Sequence, residues 1–199
     1  MKLRATVLLF AAVCILASSP AWAAASICDA VAGNLVTNCG FETGDFTGWT
    51  QSGNLGFTGV TSGNQYVNSG TFGAALGPVG SDGFLSQTII GSGTHYNASF
   101  WLYNDGGTPN DFTVYWNGVD VGPDLVDVGA FPYTQYVAIP YLVGNVGANT
   151  ISFGFRQDPA YFGLDDVVIT NAVPEPGSLM LLGSGILGLA GVIRRKLSA

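Results

Sequence analysis

The chain has 199 residues, with 13 acidic side chains against six basic ones and a single histidine, for a net charge of −7. Five of the bases (Lys2, Arg4, Arg194, Arg195 and Lys196) lie at the two ends, so residues 24–172 keep Arg156 alone against 12 carboxylates and a net charge near −11. So acidic a surface repels phosphate backbones and excludes nucleic acid as a partner, and a middle of about 150 residues is the size of one domain.

At the N-terminus, Lys2 and Arg4 precede the apolar run Val7 to Ala17, and Ala21-Trp22-Ala23 supplies a small-x-small cleavage site. That is the pattern of a secretory signal peptide over residues 1–23, and it removes Cys14 and Trp22 from the mature chain. Ile27, not a small residue, precedes Cys28, which argues against a lipid-modified cysteine. In an exported chain Cys28 and Cys39, with ten residues between them, are expected to oxidise to each other and stabilise the fold by ~2–3 kcal/mol. A metal site is the alternative, but the lone His95 cannot complete a zinc ligand set with them.

From there to residue 172 no long stretch has the 3.6-residue period of a helix. Short β-branched and aromatic runs recur instead between Gly, Asn, Asp and Pro, the pattern of an all-β sandwich or barrel. The predicted strands are Asn34–Val36, Gln65–Val67, Phe84–Ile90, Tyr96–Tyr103, Phe112–Trp116, Tyr133–Ile139, Thr150–Phe155 and Tyr161–Thr170. Trp116-Asn117-Gly118-Val119 reads as a hairpin, because Asn-Gly tolerates the positive φ pair of a type I′ turn. Eight strands in one domain point to a jelly-roll β-sandwich over residues 24–172.

The C-terminal stretch, 173–199, has three parts. Val173-Pro174-Glu175-Pro176 is stiff and extended, since each proline fixes φ and removes a donor. Gly177 to Ile193 is apolar and free of charge, and 17 helical residues rise about 25 Å, the short end of a bilayer span. Arg194, Arg195 and Lys196 then hold the end on the cytoplasmic side. In this order the three parts resemble the PEP-CTERM sorting signal of bacteria. The resemblance implies an exosortase-type enzyme that recognises the tripeptide, a membrane-anchored intermediate, and delivery to the cell surface or an exopolysaccharide matrix; an ordinary single-pass anchor is the plainer alternative.

Two further stretches frame the body, Asn34-Leu-Val-Thr-Asn-Cys-Gly-Phe-Glu-Thr-Gly-Asp-Phe-Thr-Gly-Trp49 and Phe162-Gly-Leu-Asp-Asp-Val-Val-Ile169. This opening and closing pair resembles the galactose-binding-like jelly rolls of carbohydrate-binding modules. The resemblance implies that the first and last segments lie together, often tied by a structural calcium ion, with Glu42 at the opening position and Asp165 and Asp166 at the closing one. Side chains alternate along a strand, so one of the two aspartates is expected to face such an ion. The alternative is a turn capped by Glu42 and an Asp pair solvating a strand edge.

Sugar sites combine flat rings with hydrogen-bonding side chains. Trp101, Tyr103 and Asp105 end one strand in that chemistry, and Tyr133 and Tyr136 begin another; Tyr66, Trp116 and Tyr161 are further possibilities, each weighed against a place in the core. Alternation places Phe100 and Leu102 on one face and Trp101 and Tyr103 on the other. No Gly-x-Ser-x-Gly elbow accompanies His95, and although the Asp and Glu count permits a glycosidase pair no two carboxylates are marked as facing each other, so catalysis finds little support. The expectation is a non-enzymatic surface or matrix protein that binds or organises exopolysaccharide. The rivals are a structural or adhesive protein on the same scaffold and, behind it, a glycoside hydrolase.

Overall fold

A computed structural model describes residues 25–63, 65–172 and 184–186, with the backbone alone at 138–141. The expected signal peptide (1–23) and the sorting residues Val173, Pro174, Glu175, Pro176, Arg194, Arg195 and Lys196 lie outside the described residues, as does all of the 177–193 stretch except the helical residues 184–186. Among the described residues no helix is long and apolar enough to cross a membrane.

After a short 3-10 turn at Ile27–Ala30 the body is all β: β1 (Thr50–Gly53), β2 (Thr58–Ser62), β3 (Phe72–Leu76), β4 (Gly83–Gly91), β5 (His95–Asn104), β6 (Asn110–Trp116), β7 (Val119–Asp120), β8 (Leu125–Val126), β9 (Phe131–Val143), β10 (Gly147–Gln157) and β11 (Phe162–Asn171). They form two antiparallel sheets. The first runs β1-β4-β10-β6-β7 with β8 also on β6, and the second runs β2-β3-β11-β5-β9. From β3 to β6 and again from β9 to β11 successive strands alternate between the sheets, as in a jelly roll.

Period-two alternation builds the core between the sheets. On β5 Phe100 and Leu102 are buried while Trp101 and Tyr103 are half-buried on the outer side, as the alternation predicts. Phe100 meets Phe153 of β10 and Phe112 of β6, with ring centroids 5.3 and 5.7 Å apart, and Phe112 meets Phe162 of β11 at 5.5 Å. The Asn117-Gly118 turn joins β6 to β7 with φ of 52° and 79°, the positive pair a type I′ hairpin requires.

Two predicted strands are not strands. Around Asn34–Val36 the segment lies along β11 instead: the Asn34 carboxamide donates to the Val167 carbonyl and accepts from the Ile169 amide, and the Leu35 amide donates to the Ile169 carbonyl at 2.8 Å. Farther on, the Gln87 side chain exchanges two hydrogen bonds with the Thr37 backbone (2.7 and 2.9 Å), imitating one rung of a ladder. Residues 65–67 cross the outer face of the second sheet: a Cβ on Gly73 would lie 2.1 Å from the Tyr66 carbonyl oxygen, and one on Gly163 would lie 3.2 Å from the Tyr66 Cα. Glycine at both positions lets that crossing segment lie flat on the sheet.

Candidate functional site

The disulfide Cys28–Cys39 is formed. It fixes the 3-10 turn above the outer face of the second sheet, where Ile27, Cys28 and Val31 form one wall of a groove. The opposite wall and floor come from the sheet, with Ser99 and Trp101 on β5, Gln135 on β9, and Asp166 and Val168 on β11; the groove encloses about 280 Å³. Strand register assembles it, since Trp101 stands between Asp165 of β11 and Gln135 of β9. A half-buried indole beside an exposed carboxamide and a partly exposed hydroxyl is the mixture that binds a sugar ring by its apolar face and its hydroxyls, while Asp166 is 2% exposed with both oxygens engaged by protein donors. Gln135 lies inside the Tyr133–Tyr136 stretch that the sequence marks, although nothing singles out the residue itself, and nothing marks Ser99 as a sugar contact. Ser99 shares the outward alternation of Trp101, but the cross-strand register that supplies Gln135 becomes visible only in the fold.

The other aromatic candidates lie elsewhere. Tyr103 and Tyr66 both donate to the Asp105 carboxylate, at 2.8 and 2.5 Å. Their rings pack at 5.9 Å, with Tyr133 and Tyr161 completing a four-tyrosine cluster. The cluster sits over Gly163, whose missing side chain leaves room for the Tyr133 hydroxyl. Both Asp105 oxygens are occupied by phenols, so Tyr103, Asp105 and Tyr133 form a packed unit beside the groove rather than part of its lining. The Asp105 hydrogen bond is the main cause that pushes the Tyr103 phenol up, whereas burial comes first for Tyr66 and Tyr133. Tyr136 faces the core side: it stacks on Phe100 with centroids 5.5 Å apart and planes 9° from parallel. Trp116 is core, with 3% of its surface exposed.

Glu42, Asp165 and Asp166, expected to face a calcium ion, each accept hydrogen bonds from protein donors. Glu42 accepts from the Thr71 and Phe72 amides at 2.9 and 3.1 Å. Asp165 accepts from the Asn68 and Ser69 amides with one oxygen and from the Asp166 amide with the other. Asp166 accepts from the Ser26 hydroxyl, the Cys28 amide, the Asn68 carboxamide and the Ser69 hydroxyl. Strict alternation would send Asp165 and Asp166 to opposite faces. A register shift between Asp165 and Val168, with Asp166 at φ 50°, turns both carboxylates toward residues 68–69. Among the described residues the one group of three His, Cys, Asp or Glu ligand atoms within 4.8 Å is Cys28, Asp29 and Cys39, and its two sulfurs are spent on the disulfide. Through these bonds Glu42, Asp165 and Asp166 tie the segment before β3 to the opening and closing segments. Burial, and then the Asp166 charge, push the Asp165 carboxyl up to about 8 against its three backbone donors.

Residues 172–196 match the PEP-CTERM protein-sorting motif, which implies export and sorting to the cell surface. No curated protein matches the chain in sequence. The fold is similar to the structure of TmCBM61 in complex with β-1,4-galactotriose, at 19% identity over 70% of this chain and 99% of that one, with a TM-score of 0.58. It is also similar to the K1 cleaved adhesin domain of Lys-gingipain from Porphyromonas gingivalis W83 (14% identity, 67% and 96% covered, TM-score 0.50). The xylan-binding domain from CBM 22 lies further off (15% identity, 71% and 97% covered, TM-score 0.49). At these identities the likeness is one of fold alone, a two-sheet jelly roll.

Proposed function

We propose that the protein is delivered to the cell surface or its matrix through its C-terminal motif, after processing by an exosortase-type enzyme, and that its body binds neutral extracellular polysaccharide in the Trp101 groove without catalysing a reaction. The observation that carries this reading is the placement of Trp101, Gln135 and Ser99 around one groove roofed by the disulfide turn. The ligand class follows from charge. The body's single cationic side chain, Arg156, is paired to Asp158 at 2.9 Å on the other sheet, so no base faces the groove to attract a uronate or sulfate. Carboxylate-bearing polymers would meet the net negative body instead.

Trp101 also supplies the test. Trp49 and Trp116 are 7% and 3% exposed and packed in the core, so among the described residues Trp101 is the tryptophan a ligand can reach. Titrating the full chain with neutral polysaccharides, including the producing organism's own exopolysaccharide, should shift its emission to the blue, and the shift should vanish in Trp101→Ala. No shift with any glycan, or the same shift in the variant, would refute the site and leave a structural or adhesive role on the same scaffold.

A further inference from the structure

The outer face of the opposite sheet carries a second aromatic platform. Register puts Phe84 of β4 beside Gly154 of β10 and Gly154 beside Thr113 of β6, while the next row joins Ser86, Ser152 and Tyr115. The Phe84 and Tyr115 rings, both half-buried, lean toward each other over Gly154 with centroids 6.4 Å apart. A Cβ at Gly154 would lie 3.0 Å from Phe84 Cε1 and 3.1 Å from Tyr115 Cε2, so the glycine is what lets the two rings meet over the sheet. Hydroxyls surround them, from Ser86, Ser152 and Thr113, each partly exposed.

We propose that this face is a second saccharide site, and that the protein therefore joins two glycan chains, one on each side of the sandwich. The proposal rests on the reading that the Trp101 groove binds polysaccharide. Two rings in the middle of a hydroxyl-bearing sheet offer the same combination as the groove, apolar stacking with short polar partners and no bulky charge at the centre. The ligand class is again neutral. Arg156 at one end of the face is held by Asp158, and Asp111, paired in register with Arg156, adds a carboxylate that repels anionic polymers. The groove and the platform belong to different sheets, Trp101 on β5 and the rings on β4 and β6, and they face outward in opposite directions. One chain cannot occupy both without wrapping the sandwich, whereas two chains can be held at once and bridged.

The test is bridging rather than binding alone. Full-length protein in a polyoxyethylene detergent is mixed with soluble galactan, xylan, mannan, polygalacturonate and the exopolysaccharide of the producing cells, and turbidity is followed across protein-to-polymer ratios. Turbidity should rise, pass through a maximum and fall with at least one neutral polymer, and stay at baseline with polygalacturonate. Phe84→Ala with Tyr115→Ala should abolish the turbidity while leaving the Trp101 emission shift intact. Trp101→Ala should abolish the turbidity while polymer still co-sediments with the protein. Ser152→Glu, which places a bulky charge on the face without touching the core, should act like the ring variants and covers the case in which those fail to fold. If Ser152→Glu and the ring variants leave the turbidity curve unchanged while Trp101→Ala removes it, the second site is wrong and the groove stands. If the emission shift and the turbidity are both absent with every polymer, both readings fall.

Discussion

Asp165 and Asp166 are adjacent, buried and without a basic partner among the described residues, so the folded state should hold a proton the unfolded state gives up. Burial, then the Asp166 carboxylate, raise the Asp165 carboxyl to about 8 from the 3.8 of an exposed aspartate. Between those values the native state binds the extra proton, so stability is complete below about pH 4 and is lost as the pH rises toward 8. The limiting slope is about 1.4 kcal/mol per pH unit, a loss on the order of 2–3 kcal/mol between pH 5 and pH 7. Asp111, raised by burial and then by Asp82, works in the same direction. Urea unfolding at pH 5, 6 and 7, in a chelator, should show the midpoint falling with pH, and Asp165→Asn should be less stable at pH 5 but nearly flat above it. Millimolar calcium tests the ion expected at these carboxylates, since a cation bound by the pair takes the proton's place and flattens the slope. A wild-type midpoint that stays level or rises from pH 5 to pH 7, or an equal slope in Asp165→Asn, would refute the argument.

Three further outcomes follow from packing. Phe100→Ala removes a ring that is 2% exposed and packed on Phe112, Tyr136 and Phe153, and should cost about 3–5 kcal/mol in denaturant unfolding. Gly163→Ala drives a methyl to 2.7 Å from the Tyr133 hydroxyl and 3.2 Å from the Tyr66 backbone, and should cost about 1–3 kcal/mol by the same measurement. Replacing Cys28 and Cys39 by serine opens a link between residues 11 apart, with an expected loss of about 3 kcal/mol and, because Cys28 lines the groove, a weaker emission response to glycan.

The strands that were legible in the sequence are those rich in β-branched and aromatic residues, β4 to β6 and β9 to β11, along with the Asn117-Gly118 hairpin and the disulfide. The ones missed are short or broken by glycine: β1 is Thr-Gln-Ser-Gly, β7 and β8 have two residues each, β2 is Thr-Gly-Val-Thr-Ser, and β3 is Phe-Gly-Ala-Ala-Leu, whose Gly73 serves the close crossing of residues 65–67. Asn34–Val36 has strand composition but answers to the Asn34 carboxamide, which bonds two backbone groups of β11. For the site, alternation alone placed Trp101 outward. It could not place Tyr136, whose orientation depends on register shifts between β5 and β9, nor the Asp165 and Asp166 pair, whose orientation depends on a bulge. The platform of Phe84 and Tyr115 needed three strands in register around one glycine, which no local pattern contains.

The position of β11 has a consequence for the order in which the molecule comes into being. It is the last strand among the described residues yet a middle one in its sheet, between β3 and β5, and pairs Leu164 with Ala74, 90 residues earlier. It also receives the opening segment through Leu35 and donates from Val167 to the Cys39 carbonyl. A chain delivered amino end first can assemble neither that sheet nor the opening clamp until residues 162–171 arrive, because the contacts that close it are all long in sequence. The final ladder bond, from the Ala172 amide to the His95 carbonyl, falls on the residue where the sorting motif begins. A chain delivered amino end first therefore exposes the sorting motif only after the strand needed to close the sheet has arrived.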